Sequence, residues 1–186
     1  MTTATFIAGS GDCWGSGQPS FSATSTNLGI GNVSASDYTA HAWIPFVNSS
    51  VPKGTVIIQA TLYVVATTTE STTPVKLKIG CEAADNPSAP SSKIDLFGRT
   101  LTTAYTTDDN VAAWTAGTTY SWNITTAVQE ILDRAGCAIG NTIAVFIKDN
   151  ASTINKSRGI ASSEHLTYAE AILEIVYEDN TQPVWW

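Results

Sequence analysis

The sequence predicts an all-β fold, a jelly-roll-like antiparallel β-sandwich with one short α-helix. Strict apolar/polar alternation recurs over short segments, clusters of Gly, Asn, Asp and Pro separate them, and no helical pattern alternates with the strands. A length of 186 residues suits a single unit of this kind. Charged residues make up 13% of the chain and apolar residues 43%, with Ser and Thr at roughly a quarter of positions. There is apolar material enough for a core, under a surface made mainly of hydroxyls and amides.

Strands are expected at residues 5–8 and 41–47. From residue 55 the even positions Val56, Ile58, Ala60, Leu62, Val64 and Ala66 are all apolar, which predicts a long strand with one dry face. After a Thr/Ser turn over 67–74, Val75, Leu77, Ile79, Cys81 and Ala83 point one way, and Lys76, Lys78, Gly80 and Glu82 the other. These two strands are expected to form a hairpin or lie near each other. Residues 84–117 are the least regular, with weak strands near 101–106 and 111–114. Further strands are expected at 119–123, 142–148, 158–163 and 169–177.

One helix interrupts this pattern. Thr126-Ala-Val-Gln129 reads as a capping box, Val128, Ile131 and Leu132 form one apolar face, and Gly136 supplies the C-terminal stop. A helix of about three turns would plug one end of a sandwich.

From this helix onward the sequence resembles a known family. The run Tyr120-Ser-Trp-Asn-Ile-Thr-Thr-Ala-Val-Gln-Glu-Ile-Leu-Asp-Arg-Ala-Gly136, with Gly140-Asn141-Thr142 and Asp149-Asn150 after it, resembles the helix-and-strand signature of DNRLRE-type β-sandwich modules. Thr26-Asn27-Leu28-Gly29 resembles their early loop, and Val51-Pro52-Lys53-Gly54-Thr55 their turn before a long strand. Ala60-Thr61-Leu62 resembles that strand, and Leu173-Glu-Ile-Val-Tyr177 their closing strand. Trp43-Ile-Pro-Phe46 replaces the usual Arg-Phe-Asp strand, and Cys137 stands where an aromatic is common. The resemblance implies a jelly-roll-like sandwich found in cell-surface proteins and bacteriophage particles, sometimes binding carbohydrate, without shared catalytic residues.

The chemistry-bearing residues point away from catalysis. His41 falls within a predicted strand and His165 near a turn, and neither belongs to a recognisable motif. Ser162-Ser163-Glu164-His165 has the residue types of a triad, but neighbours on a strand alternate faces and cannot assemble one. Gly9-Ser-Gly11 and Gly15-Ser-Gly17 lack the Lys and helix of a phosphate loop. Oxygen ligands cluster at Glu82-Ala-Ala-Asp85-Asn86, Asp108-Asp109-Asn110 and Asp149-Asn150, where turn capping competes with calcium binding, and no metal or cofactor is expected. Cys13, Cys81 and Cys137 match neither a disulfide framework nor a zinc site and are expected to be buried, with at most one pair. Five Asn-x-Ser/Thr sequons are unsurprising in so Ser- and Thr-rich a chain.

Nine basic against 16 acidic residues give a net charge of −7, with the basic residues scattered singly, so nucleic acid and anionic membranes are poor partners. No apolar run reaches the ~20 residues needed to span a bilayer. The first residues show neither the basic start nor the apolar stretch of a secretion signal.

Trp43, Trp114 and Trp122 are expected in the core. The ends differ. Residues 1–25 read as an N-terminal arm and first strand in which Cys13-Trp14 sits in a polar Gly/Ser-rich lead, 26–178 as the sandwich, and 179–186 as an aromatic tail ending in Val184-Trp185-Trp186. Val184, Trp185, Trp186 and Trp14 are therefore the expected partner-binding residues.

Together these readings predict a non-enzymatic virion structural protein of a bacteriophage, a capsid decoration or other particle-surface protein. Its partners would be the major capsid or other virion proteins and further copies of itself. The alternative is a carbohydrate-binding module of a secreted or surface protein, with glycans as partners and an extracellular location.

Overall fold

The computed structural model describes residues 1–17, 20–34, 36 and 38–178. Twelve strands and two short helices follow one another in the order β1 (Thr2–Ile7), β2 (Cys13–Ser16), β3 (Ser20–Ser22), β4 (Asn27–Asn32), β5 (Thr39–Val47), β6 (Ile57–Val65), β7 (Leu77–Cys81), α1 (Lys93–Gly98), β8 (Thr106–Asp108), β9 (Thr119–Asn123), α2 (Thr125–Leu132), β10 (Thr142–Asp149), β11 (Lys156–Ala161) and β12 (Ile172–Tyr177). All pairings are antiparallel. Sheet A has the order β1-β12-β6-β9. Sheet B runs β11-β4-β5-β10-β7-β8, with β2 on β5 and β3 on β2. The chain passes back and forth between the sheets, and its first and last strands are neighbours, so the fold is the expected antiparallel β-sandwich.

The sheets face each other over one core. Sheet A contributes Phe6, Leu62, Leu173 and Ile175, and sheet B contributes Ile30, Ile44, Phe46, Leu77, Ile79 and Val145. Every one of these is the inward residue of an alternating strand.

The strands at 55–66 and 75–83 do not form a hairpin. β6 pairs with β12 and β9 in sheet A, and β7 pairs with β10 and β8 in sheet B. Each has a dry face because each covers the same core from its own side, a pattern periodicity alone cannot tell from direct pairing. The dry face of β6 also breaks at its start. Tyr177 pairs with Ile57 and Val176 with Gln59, leaving Ile58 as an extra residue. This bulge swaps the faces: Ile57 turns inward, while Val56 and Ile58 are 52% and 39% exposed.

The expected helix is α2, and it caps one end of the core with Val128, Ile131 and Leu132. Its N-cap is Ile124, two residues before the Thr126 of the capping box, and it ends short of Gly136. The cap at the chain turn is Asn123, whose Oδ1 accepts from the Thr125 N–H at 3.0 Å and the Thr125 hydroxyl at 2.8 Å. Gln129 instead reaches across to the sheet, accepting from the Ile57 N–H at 2.8 Å and donating to the Thr55 carbonyl at 3.0 Å. The irregular stretch 84–117 holds the second helix, α1, whose N-cap Ser92 accepts from the Asp95 N–H at 3.2 Å.

Residues 1–17 are built into the sandwich rather than forming a separate arm. β1 pairs with β12 along its whole length, and β2 pairs with β5 from Cys13 opposite Trp43 to Ser16 opposite Ala40. Gly29 of β4 makes room for β2, since a Cβ there would lie 3.3 Å from the Trp14 ring, and Gly31, where φ is +94°, lets β4 approach the Lys156 carbonyl of β11.

Candidate functional site

The two sheets differ on their outer faces. On sheet B, Cys13, Trp43, Leu96, Ala144 and Phe146 form a second buried cluster, with Phe21, Ala23, Phe97 and Leu101 packed around it. α1, with Phe21, Ala23 and Leu101 around it, packs over this cluster on β2, β5 and β10, so β5 and β10 are buried on both faces. The cover is tied down by charge. Glu82, 6% exposed, accepts from the Trp43 indole N–H at 2.6 Å and from Arg99 at 2.8 Å. Arg99 also pairs with Asp95 at 2.7 Å, which holds the Asp95 carboxyl down at about 2. Lys148 donates to the Arg99 carbonyl and Lys93 to that of Gly17, both at 2.8 Å.

Sheet A has no such cover among the described residues. Its outer face reads across the strands as Thr3, Val176 and Gln59, then Thr5, Glu174, Thr61 and Asn123, then Ile7, Ile172, Tyr63 and Ser121. Glu174 is the one charged side chain on these four strands, and Ile7 is 59% exposed. Apart from Glu174 this face carries no charged side chain, and hydroxyls make up much of it.

The side chains that would do chemistry are occupied. The His165 ring stacks on Tyr168, and its Nδ1 accepts from the N–H groups of Thr167 at 3.2 Å and Tyr168 at 3.0 Å. Its Nδ1 therefore closes the turn that follows Ser163. His41 lies against Phe97 and Phe146, its Nδ1 accepting from the Asp149 N–H at 3.1 Å. Burial, reinforced by Lys148, pushes it down to about 4. Cys13 and Cys81 are buried thiols, each pushed up to about 12 by burial, and all three cysteines are free.

Acidic groups serve the same structural end. Asp85 pairs with Arg134, Asp108 accepts from the Trp122 indole at 3.0 Å, and Asp149 caps the turn at Ala151 and Ser152, each at 3.1 Å. Among the described residues no group of three or more His, Cys, Asp or Glu is arranged to hold a metal ion. The one strained acidic pair is Asp12 with Glu164. Ser163 bonds Asp12 through its N–H at 2.8 Å, and its hydroxyl lies 3.0 Å from Asp12 and 3.1 Å from Glu164. One hydroxyl proton cannot satisfy both carboxyls. Burial pushes Asp12 up to about 6, and the Glu164 charge adds to the rise.

Trp43, Trp114 and Trp122 are buried, as expected from the sequence. Trp114 stacks on Tyr120 at 4.6 Å and 11° beside a cleft of about 90 Å³ lined also by Asp108 and Trp122. The stack consumes ring faces that a sugar would need. A wider groove of about 420 Å³ runs along Phe21, Ser91, Ser92, Lys93 and Ile94, but Ser92 caps α1 and Lys93 holds Gly17, leaving few free polar groups to orient a ligand.

Of the expected partner-binding residues, Val184, Trp185 and Trp186 lie outside the described residues. Trp14 is partly buried against the domain's own core, so it is not a free anchor. The open face of sheet A was not singled out by the sequence, although the absence of Lys and Arg from all four of its strands was visible there. The chain matches no protein-family model, and a search of curated proteins finds no match.

Proposed function

We propose that this chain is a non-enzymatic structural protein of a bacteriophage particle, a capsid decoration or other surface protein that works by adhesion. The observation that carries the reading is the contrast between a covered outer face on sheet B and an outer face on sheet A that, among the described residues, is open and carries Glu174 as its one charge. A net charge of −7 concentrated away from that face suits a protein that stays soluble yet presents one sparsely charged surface for assembly. The histidines and most carboxylates accept structural hydrogen bonds and the cysteines are buried free thiols, which supports a binding role over a catalytic one. The phage setting rests on the resemblance to DNRLRE-type modules, and the Val184-Trp185-Trp186 tail would add an aromatic anchor on virion proteins or sister copies.

The test is to count this protein by quantitative mass spectrometry in purified virus-like particles against the major shell protein. Copies comparable to the shell subunit are expected for a decoration protein, and a few copies per particle would place it on the tail. Complete absence from particles would overturn the reading.

A further inference from the structure

The edges of sheet A are unequal. At β9, β8 itself lies alongside: the Thr106 hydroxyl donates to the Asn123 carbonyl at 2.6 Å, and Trp122 is tied to Asp108. At the far end of sheet B, β11 is met by the bridge of Ala66 to Ile160 and by the Thr67 N–H on the Gly159 carbonyl at 3.0 Å. β1 has β12 as its one strand partner. The Ala8 N–H donates to the Ala171 carbonyl at 2.9 Å, which makes the even residues of β1 the ones bonded to β12. The N–H and C=O groups of Thr3, Thr5 and Ile7 therefore point to the open side, where no group among the described residues bonds them.

Exposed edges in natural sheets are blunted by Lys, Pro, a bulge or a covering loop. Among the described residues β1 has none of these. Its sequence Thr-Thr-Ala-Thr-Phe-Ile is uncharged and free of Pro, and its register with β12 is unbroken from Thr2 opposite Tyr177 to Ile7 opposite Ile172. This is a template for a further strand.

We infer that the added strand is β1 of a second copy, paired antiparallel about a two-fold axis so that sheet A runs on into its partner's sheet A. The inference rests on the assembly reading above only in calling for sister copies. Self-complementarity carries it. With outward groups at residues 3, 5 and 7, a single symmetric register engages all three in both copies: Thr5 opposite Thr5 of the partner subunit, and Thr3 opposite Ile7 of the partner subunit. That register forms about six backbone hydrogen bonds. It sets two threonines side by side on the outer face, a favourable cross-strand pair. The nearest like charges in the joined sheet, the two Glu174 carboxylates, stand three strand spacings apart. That is about 14 Å, beyond the ~8 Å Debye length at physiological salt. A strand pair alone buries less than a standard interface, so the dimer forms with rising concentration and is reinforced wherever copies are held close together.

The test uses the full chain with single cysteines placed on β1, since the three native thiols are buried. Facing Cα atoms in a bonded pair are about 5.5 Å apart, within disulfide reach. Under mild oxidation T5C is expected to give a covalent homodimer as the main product. I7C alone should give little, and an equimolar mixture of I7C and T3C should give the mixed dimer. Sedimentation should show a concentration-dependent dimer that T5P abolishes, because Pro removes one outward N–H at a position the fold itself does not use. Equal cross-linking of T5C and I7C, or a wild-type chain that sediments as a monomer at all concentrations up to about a millimolar, would overturn the inference. A lack of cross-linking by a protein still abundant in particles would reject the β1 pairing alone. Cross-linking by a protein absent from particles would support the pairing and reject the phage setting.

Discussion

The outer faces of the two sheets are treated differently, although both sheets bury their inner faces in one core. On sheet B, α1 packs with Phe21 and Ala23 over Trp43, Ala144 and Phe146, and Glu82, Arg99 and Asp95 fasten it. On sheet A nothing among the described residues does so, and the face carries Glu174 as its one charge, with β1 as an open edge. On the proposed reading the two faces carry different tasks: the covered face adds stability within the chain, and the open face is the one offered to other molecules.

The sharpest way to break this contrast is a matched pair of truncations. Trp43→Ala on the covered face removes a ring that is 1% exposed and strips Glu82 of a hydrogen bond, with an expected loss of about 3–5 kcal/mol in urea unfolding. Tyr63→Ala on the open face removes a half-buried ring with one long bond to Glu174 at 3.5 Å, and about 1 kcal/mol or less is expected. Equal losses would show that the faces are not distinct. Arg99→Met tests the fastening. It should cost about 1–3 kcal/mol, because Glu82 would remain buried with only the Trp43 indole to satisfy it.

Acid sharpens the comparison further. His41, under the cover, titrates at about 4 in the fold against 6.5 in the open chain, so the unfolded state binds the extra proton and stability falls as pH drops through that window. Asp12, near the β1 end of the molecule, is shifted the other way, to about 6 from 3.8, so its contribution is present in acid and is lost as pH rises through about 6. The two slopes oppose each other between about 4 and 6. His41→Phe should make stability rise with acidity in that range, and Asp12→Asn should make it fall more steeply. Urea midpoints at several pH values read both effects, and identical profiles for the two variants would contradict the assignment.

The smallest expected effect is Thr5→Val, which keeps shape and β-propensity on the open face. It should change monomer stability by no more than about 0.5 kcal/mol. A loss above about 2 kcal/mol would mean that Thr5 is used within its own chain.

The sandwich, most strands and α2 were legible because alternation and helical spacing are local signals. What they did not disclose was partnership. The dry faces of β6 and β7 looked alike whether the strands paired or faced each other across a core, and the bulge at Ile58 depends on β12, a remote strand. α1 escaped notice because the six-residue segment is anchored by tertiary packing of Leu96 rather than by periodicity. Trp14 looked exposed in its polar lead because the space that receives it is made by Gly29, on another strand. The open edge of β1 was not legible in the sequence, since an edge is defined by what fails to pair with it.

The central claim, that the open side of sheet A is an association surface, is tested most directly by amide hydrogen exchange of the intact protein at rising concentration. Protection of the Thr3, Thr5 and Ile7 amides should grow with concentration, while those of Ala4 and Phe6, already bonded to β12, stay constant. Fast exchange at Thr3, Thr5 and Ile7 at every concentration, or protection already complete in the dilute monomer, would contradict it.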